Sequence, residues 1–150
     1  MQTEVVILEN GKISFFDAFQ MFRLRMEVFC AEQRCWYVDP DEHDFTATHI
    51  LIYLIDENLP KKLVAYARIY KKDGQYVIGR VCTHLLFRRK GLGKKVMEIA
   101  IAQCPPKSVI YIQAQAYLKR FYENFGFVQQ GSEIIWEDGI AHIPMIKIKT

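Results

Sequence analysis

No stretch of this 150-residue chain stays apolar over the length of a membrane span. Its start, Met1-Gln2-Thr3-Glu4-Val5, lacks the basic-then-apolar pattern of a secretory leader. A cytoplasmic protein without a membrane partner is expected. Cysteines are few: Cys30, Cys35, Cys82 and Cys104 are scattered, with no Cys-x-x-Cys among them. Outside a secreted context they are expected as free thiols. With His43 and His49 they match no zinc-ligand spacing, so no metal is expected. Gly-x-x-x-x-Gly-Lys-Ser/Thr and Gly-x-Gly-x-x-Gly are both missing, which excludes a Walker-type loop and a dinucleotide fingerprint. The net charge is only +3, too small to argue for a nucleic-acid partner. Repeats, low-complexity tracts and linkers are absent, so residues 1–150 read as one domain.

What the chain does have is Arg88-Arg89-Lys90-Gly91-Leu92-Gly93-Lys94-Lys95, between the strand-like segment 76–83 and a helix-patterned segment. A solvated loop is one reading of such a turn. The other is a pyrophosphate cradle: glycines let the backbone approach, and the free N–H groups and macrodipole of a helix start favour an anion. Five Lys or Arg in eight positions supply charges for phosphate oxygens. A phosphorylated carrier such as coenzyme A is the expected ligand.

Along the chain, residues 4–8 read as a strand followed by an Asn10-Gly11 turn. Ser14 and Asp17 resemble a capping box opening a helix. Phe15, Ala18, Phe19, Phe22, Met26 and Phe29 repeat there at helical spacing and are expected to face the core. Residues 35–48 form a polar loop with four carboxylates, Asp39, Asp41, Glu42 and Asp44. It is either a solvated surface or a lip attracting a cationic amine. Strands are expected at 49–55, 62–70 and 76–83, with a turn at 72–75. A helix over 91–103 ends at Pro105-Pro106. Strand 108–114, helix 116–125, and strands near 127–135 and 140–148 around Asp138-Gly139 complete a mixed sheet covered by helices.

Arg88-x-x-Gly91-x-Gly93 resembles the acyl-CoA signature of the GNAT N-acetyltransferases. A second block, Ile110–Ala116 followed by Phe121-Tyr122-Glu123-Asn124-Phe125-Gly126-Phe127, is similar to that superfamily's other half, in the same order and separation. Arg25-x-Glu27-Val28-Phe29, Glu32-Gln33 and Glu137-Asp138-Gly139-Ile140-x-His142-Ile143 resemble the ElaA-like branch. The resemblance covers essentially the whole chain. It implies an α/β fold of the GNAT type: a mixed, mostly antiparallel twisted sheet with helices on both faces, its fourth and fifth strands splayed to admit the carrier's pantetheine. It implies an enzyme moving an acetyl group from acetyl-CoA to an amine acceptor. A non-catalytic acyl-CoA-binding module is the alternative. A monomer and a homodimer fit the chain equally.

On that resemblance Val81, Cys82 and Thr83 offer strand backbone groups to the pantetheine amides. The pyrophosphate meets Arg88, Arg89, Lys90, Gly91, Leu92, Gly93 and Lys94, and Gln115 and Phe121 complete the carrier site. Tyr122 matches the family's tyrosine and is expected to protonate the departing thiolate, a task suited to a phenol. A core tyrosine among Phe121, Phe125 and Phe127 is the plainer reading. His142 is the candidate base, with Glu27, Glu32 and ordered water as alternatives. Three departures stand out: Gln115 where many relatives have Asn, Ala141 where the branch often has Pro, and Pro144 inside the last strand, which predicts an edge or bulge there.

Overall fold

Ser14 starts the first helix because its hydroxyl accepts the Asp17 N–H at 3.1 Å. The computed structural model describes residues 1–9 and 12–150, so the expected Asn10-Gly11 turn lies outside the described residues. Strand β1 (Thr3–Leu8) leads to α1 (Phe15–Arg25), which runs on into a π-helical turn over Met26–Glu32. A short helix α2 (His43–Thr46) follows, then β2 (Thr48–Asp56), β3 (Leu59–Lys72) and β4 (Gln75–Thr83). Helix α3 (Leu92–Gln103), β5 (Val109–Gln115), α4 (Lys119–Glu123), β6 (Val128–Gln129), β7 (Ile135–Glu137) and β8 (Ile140–Ile148) close the chain.

Among the described residues the strands form one sheet in the order β1-β2-β3-β4-β5-β8-β6, with β7 also on β8. Neighbours are antiparallel except β4 and β5, which are parallel and connected through α3. Alternation sends β2 side chains to two cores. Ile50 and Ile52 join Val96, Met97 and Ala100 of α3 on one face, while Leu51 and Tyr53 join Met21 and Leu24 of α1 on the other. Each such side chain contributes about 1.5–3 kcal/mol when fully buried.

The predicted stripe of α1 meets the core only in part. Phe22 and Phe29 pack half-buried beside the buried Met21, Leu24 and Val28, whereas Phe15 is 87% exposed, Phe19 52% and Met26 49%. Two apolar stripes share this helix, and spacing alone does not choose between them. Pro144 is not on an edge strand, since β8 lies between β5 on one side and β6 and β7 on the other. Its carbonyl accepts from Gln130 N–H at 2.9 Å, so its imide nitrogen faces the gap between β7 and β6, where no ladder donor is needed.

The feature that matters for function is where β4 leaves β5. Their pairing consists of Tyr76–Ile110 and Val77–Tyr111 only. Beyond it, β4 carries a bulge: Tyr66 faces Cys82 but Arg68 faces Gly79, so Arg80 and Val81 together oppose Ala67. Arg80 takes the left-handed φ of 52°. From Ile78 onward the two strands diverge.

Candidate functional site

A cavity of about 1040 Å³ occupies that divergence. Its β4 wall includes Val81, Cys82 and Thr83, and the β5 wall ends at Gln115. Strand segments that no longer pair leave N–H and C=O groups for a ligand. The rim is the start of α3. Gly91 precedes it at φ 77°, in the left-handed region, and a Cβ there would meet nothing within 4 Å. No earlier turn exists to receive the N–H groups of Leu92, Gly93 and Lys94. At Gly93 a Cβ would lie 3.6 Å from both the Phe121 ring and the Thr83 hydroxyl, ordinary contact distance, so α3 already packs close to both walls.

The expected carrier residues are brought together here with one exception. Arg88, Arg89, Gly91, Leu92, Gly93 and Lys94 line the cavity with Gln115, Phe121 and Tyr122, while Lys90 is exposed and outside the lining. The Arg88 side chain is committed elsewhere. Its two terminal nitrogens donate to both Glu32 oxygens at 2.6 Å, and Nε donates to the Thr83 carbonyl at 3.1 Å. Arg89 and Lys94 are the loop cations left to the rim.

Glu32 and its neighbour Gln33 sit where the π-helical turn ends, marked by the Gln33 N–H donating to the Val28 carbonyl at 3.2 Å. Gln33 and Gln115 exchange amide hydrogen bonds of 3.3 and 3.1 Å. Two consecutive residues thus hold the loop before α3 and the end of β5. The sequence gives no sign of a contact spanning 82 positions, and the resemblance of Glu32-Gln33 was the only pointer to it.

Tyr122 combines both of its readings. It is 7% exposed, with its ring edge-on to Phe121 at 5.1 Å and Phe127 at 6.3 Å, and it also lines the cavity. Burial, then the neighbouring Tyr117 and Cys82, pushes its phenol well above the ordinary 10, so it is protonated throughout the neutral range. His142 stands opposite Gln115 in the β5–β8 register and lines the same cavity. A 2.9 Å bond from Nδ1 to the Ile140 carbonyl makes Nδ1 the donor and leaves Nε2 as an acceptor. Of the alternative bases, Glu27 accepts from Arg23 at 2.9 Å and Glu32 is held by Arg88.

The 35–48 loop reads differently from either expectation. Glu42 is exposed, as a solvated surface would have it, but Asp39 and the Asp44 side chain are buried and Asp41 is half-buried, and none of these three is free to draw in an amine. They interlock with Arg25, Arg68 and Arg80. Arg25, Asp39 and Arg68 are at most 3% exposed, which a sequence reading assigns to the surface because such groups are rarely buried unless paired. The loop meets the cavity through Cys35 and Tyr37 instead, and the last hairpin brings the carboxylates of Glu137 and Asp138 to its lining. Cys35 points its thiol at the carbonyls of Gln33 and Asp138 (3.5 Å each), and His49 bridges Tyr66 and the Asp44 carbonyl.

The family model described as an acetyltransferase (GNAT) domain matches residues 31–149. The protein ElaA of Escherichia coli K12 is 38% identical over 148 residues, covering 93% of each chain. Its crystal structure superimposes with a TM-score of 0.87 over 97% of this chain and 99% of that one, at 36% identity. An acyl-CoA N-acyltransferase from Pseudomonas aeruginosa gives a TM-score of 0.87 at 30% identity, with 97% and 99% coverage. An aminoglycoside 6'-N-acetyltransferase complexed with coenzyme A shares the fold, with a TM-score of 0.61 and 13% identity over 95% and 96% of the chains.

Proposed function

This chain belongs to the GNAT acetyltransferase family, and from that premise we propose that it carries an acetyl group from acetyl-CoA to a primary amine. The observation that carries this reading is the opening between β4 and β5, bounded by the glycine-opened start of α3 and by the Tyr122 phenol. Free thiols at all four cysteines suit a reducing compartment, and we place the reaction in the cytoplasm.

In this reading the first-turn N–H groups of α3, with Arg89 and Lys94, take the pyrophosphate. The unpaired edge at Val81–Thr83 holds the pantetheine amides, and Gln115 borders them from β5. The acceptor enters between Tyr37 and the β7–β8 hairpin. His142 Nε2 accepts the proton that the amine loses, directly or through water. The amine lone pair forms the new C–N bond, the C–S bond breaks, and the Tyr122 hydroxyl gives its proton to the departing thiolate. Burial keeps the phenol protonated and able to hydrogen-bond the departing thiolate, while its raised pKa makes it a weaker acid, so full proton transfer completes as the thiolate leaves the cleft.

Calorimetric titration with coenzyme A, followed by thiol release from acetyl-CoA over a panel of amines, tests the proposal. The wild-type chain should bind and turn over. Gly91→Glu should lose binding, because the cradle would carry a side chain and a like charge. Undiminished affinity in a folded Gly91→Glu variant would refute the cradle.

A further inference from the structure

Arg80 is an unexpected residue for the bulge that opens the cleft. A long side chain at φ 52° is strained in a way that glycine is not. Gly79 is adjacent, yet the positive φ falls on Arg80. Something about this side chain holds the backbone there.

The partner is Asp39. Arg80 Nε lies 3.0 Å from Asp39 Oδ1, and its terminal nitrogen donates to the Asp39 carbonyl, also at 3.0 Å. The guanidinium stands over the Tyr37 ring, 5.6 Å from its centroid, and Tyr37 in turn donates to Asp39 Oδ1 at 3.3 Å. Asp39 is fully buried and does not move freely. Arg25 grips it from α1 through Nε at 2.8 Å from Oδ2 and through a 3.1 Å bond to its carbonyl. The Arg25 and Arg80 Nε contacts lack hydrogen-bond angles, so they act as close ion pairs. Arg25 is anchored further by Asp44 at 2.7 Å.

We propose that Asp39 and Arg80 form a clip that holds the β4 bulge and thereby sets the opening of the carrier cleft. The clip rests on the carrier reading of that cleft. Asp39 does not line the cavity and acts through Arg80, which does; in the clip both are positioning residues. The physical sequence is direct. Asp39 fixes the guanidinium, the guanidinium holds Arg80 in the left-handed well, and the two-against-one bulge turns Val81–Thr83 away from β5. Without the clip, β4 has an unstrained path alongside β5 that would satisfy the same backbone groups with each other.

The test separates backbone geometry from charge. The full chain is titrated calorimetrically with coenzyme A as wild type, Arg80→Ala, Arg80→Gly, Asp39→Asn and the Asp39→Asn/Arg80→Gly double variant. Both Arg80 variants remove the charge, but only alanine bears the strain. Arg80→Ala should therefore bind about ten-fold more weakly than Arg80→Gly, and should melt at a lower temperature without ligand. Asp39→Asn should weaken binding when Arg80 is present and add little when glycine replaces it. Equal affinity and melting of Arg80→Ala and Arg80→Gly, or the same loss from Asp39→Asn in both backgrounds, would overturn the clip. Should Asp39→Asn fail to fold, Arg80→Lys takes its place: it keeps the charge but loses the guanidinium fork on Asp39, should weaken binding relative to wild type, and wild-type affinity and melting in it would overturn the clip. A wild-type chain that binds no coenzyme A overturns the carrier reading instead, and the melting difference then reports on the clip alone.

Discussion

Asp44→Asn should destabilise the protein by about 3 kcal/mol at neutral pH. The carboxylate takes Arg25 at 2.7 and 3.2 Å, Arg68 at 2.9 Å and the Asp41 N–H at 3.0 Å, and its side chain is 8% exposed. Removing one partner of a buried ion pair costs about 3–5 kcal/mol, because the remaining charge is stranded. Arg25 keeps Asp39 and Arg68 keeps Asp41, which puts the loss at the lower end. For a domain of this size that is roughly 6–12 °C in Tm. The pH dependence supplies an independent arm. Burial alone would raise the Asp44 pKa, but the bonds and charge of Arg25 and Arg68 outweigh it and bring the carboxyl from 3.8 to about 2. A depressed folded-state pKa stabilises above the unfolded value and is lost as pH falls through the folded one. Wild type should therefore lose up to about 2 kcal/mol between pH 4 and pH 2 that Asp44→Asn does not lose. Denaturant titrations at several pH values measure both. A neutral-pH loss below about 1 kcal/mol, the range of an exposed pair, or parallel acid curves for the two proteins, would refute the reasoning.

Tyr122→Phe should leave coenzyme A affinity within a few-fold and slow turnover roughly ten- to a thousand-fold; wild-type turnover would remove the acid role. With His142 as base, His142→Ala should slow turnover at limiting acceptor at least ten-fold, roughly the lower end of general-base losses, while coenzyme A still binds. Wild-type turnover in that variant would assign the proton to another acceptor. Gly126→Ala should cost about 1–2 kcal/mol, since Gly126 holds φ 93° and a Cβ would stand 2.8 Å from Lys147 Nζ. Thermal melts read it, and an unshifted Tm would show that the turn relaxes.

What the sequence made legible was local chemistry. The Ser14 cap, the turn at Asp73-Gly74, helix α3 and the strand β2 each follow from residues a few positions apart. The loop before α3 was legible because its glycines and cations are contiguous. What stayed hidden depends on partners far along the chain. Arg25, Asp39 and Arg68 read as surface charges until they meet across the fold. Gln33 had no assigned role until Gln115 faced it. The exposed stripe of α1 and the buried one have the same period, so only packing distinguishes them. The last strands were misjudged because one stretch near 127–135 is two short strands on either side of a loop, which is also why Pro144 is tolerated.

The π-helical turn makes the beginning of the chain a length gauge. An α-helix turns about 100° per residue, whereas the i to i+5 bonding of Met26–Glu32 fits more residues into each revolution. Glu32 and Gln33 meet Arg88 and Gln115 only because the winding is wide there. Deleting one residue from that turn would let it rewind as ordinary helix through nearly the same total angle, so Glu32 and Gln33 would stay close to their partners, whereas inserting one would rotate both side chains off them. The segment therefore tolerates a residue fewer and not a residue more.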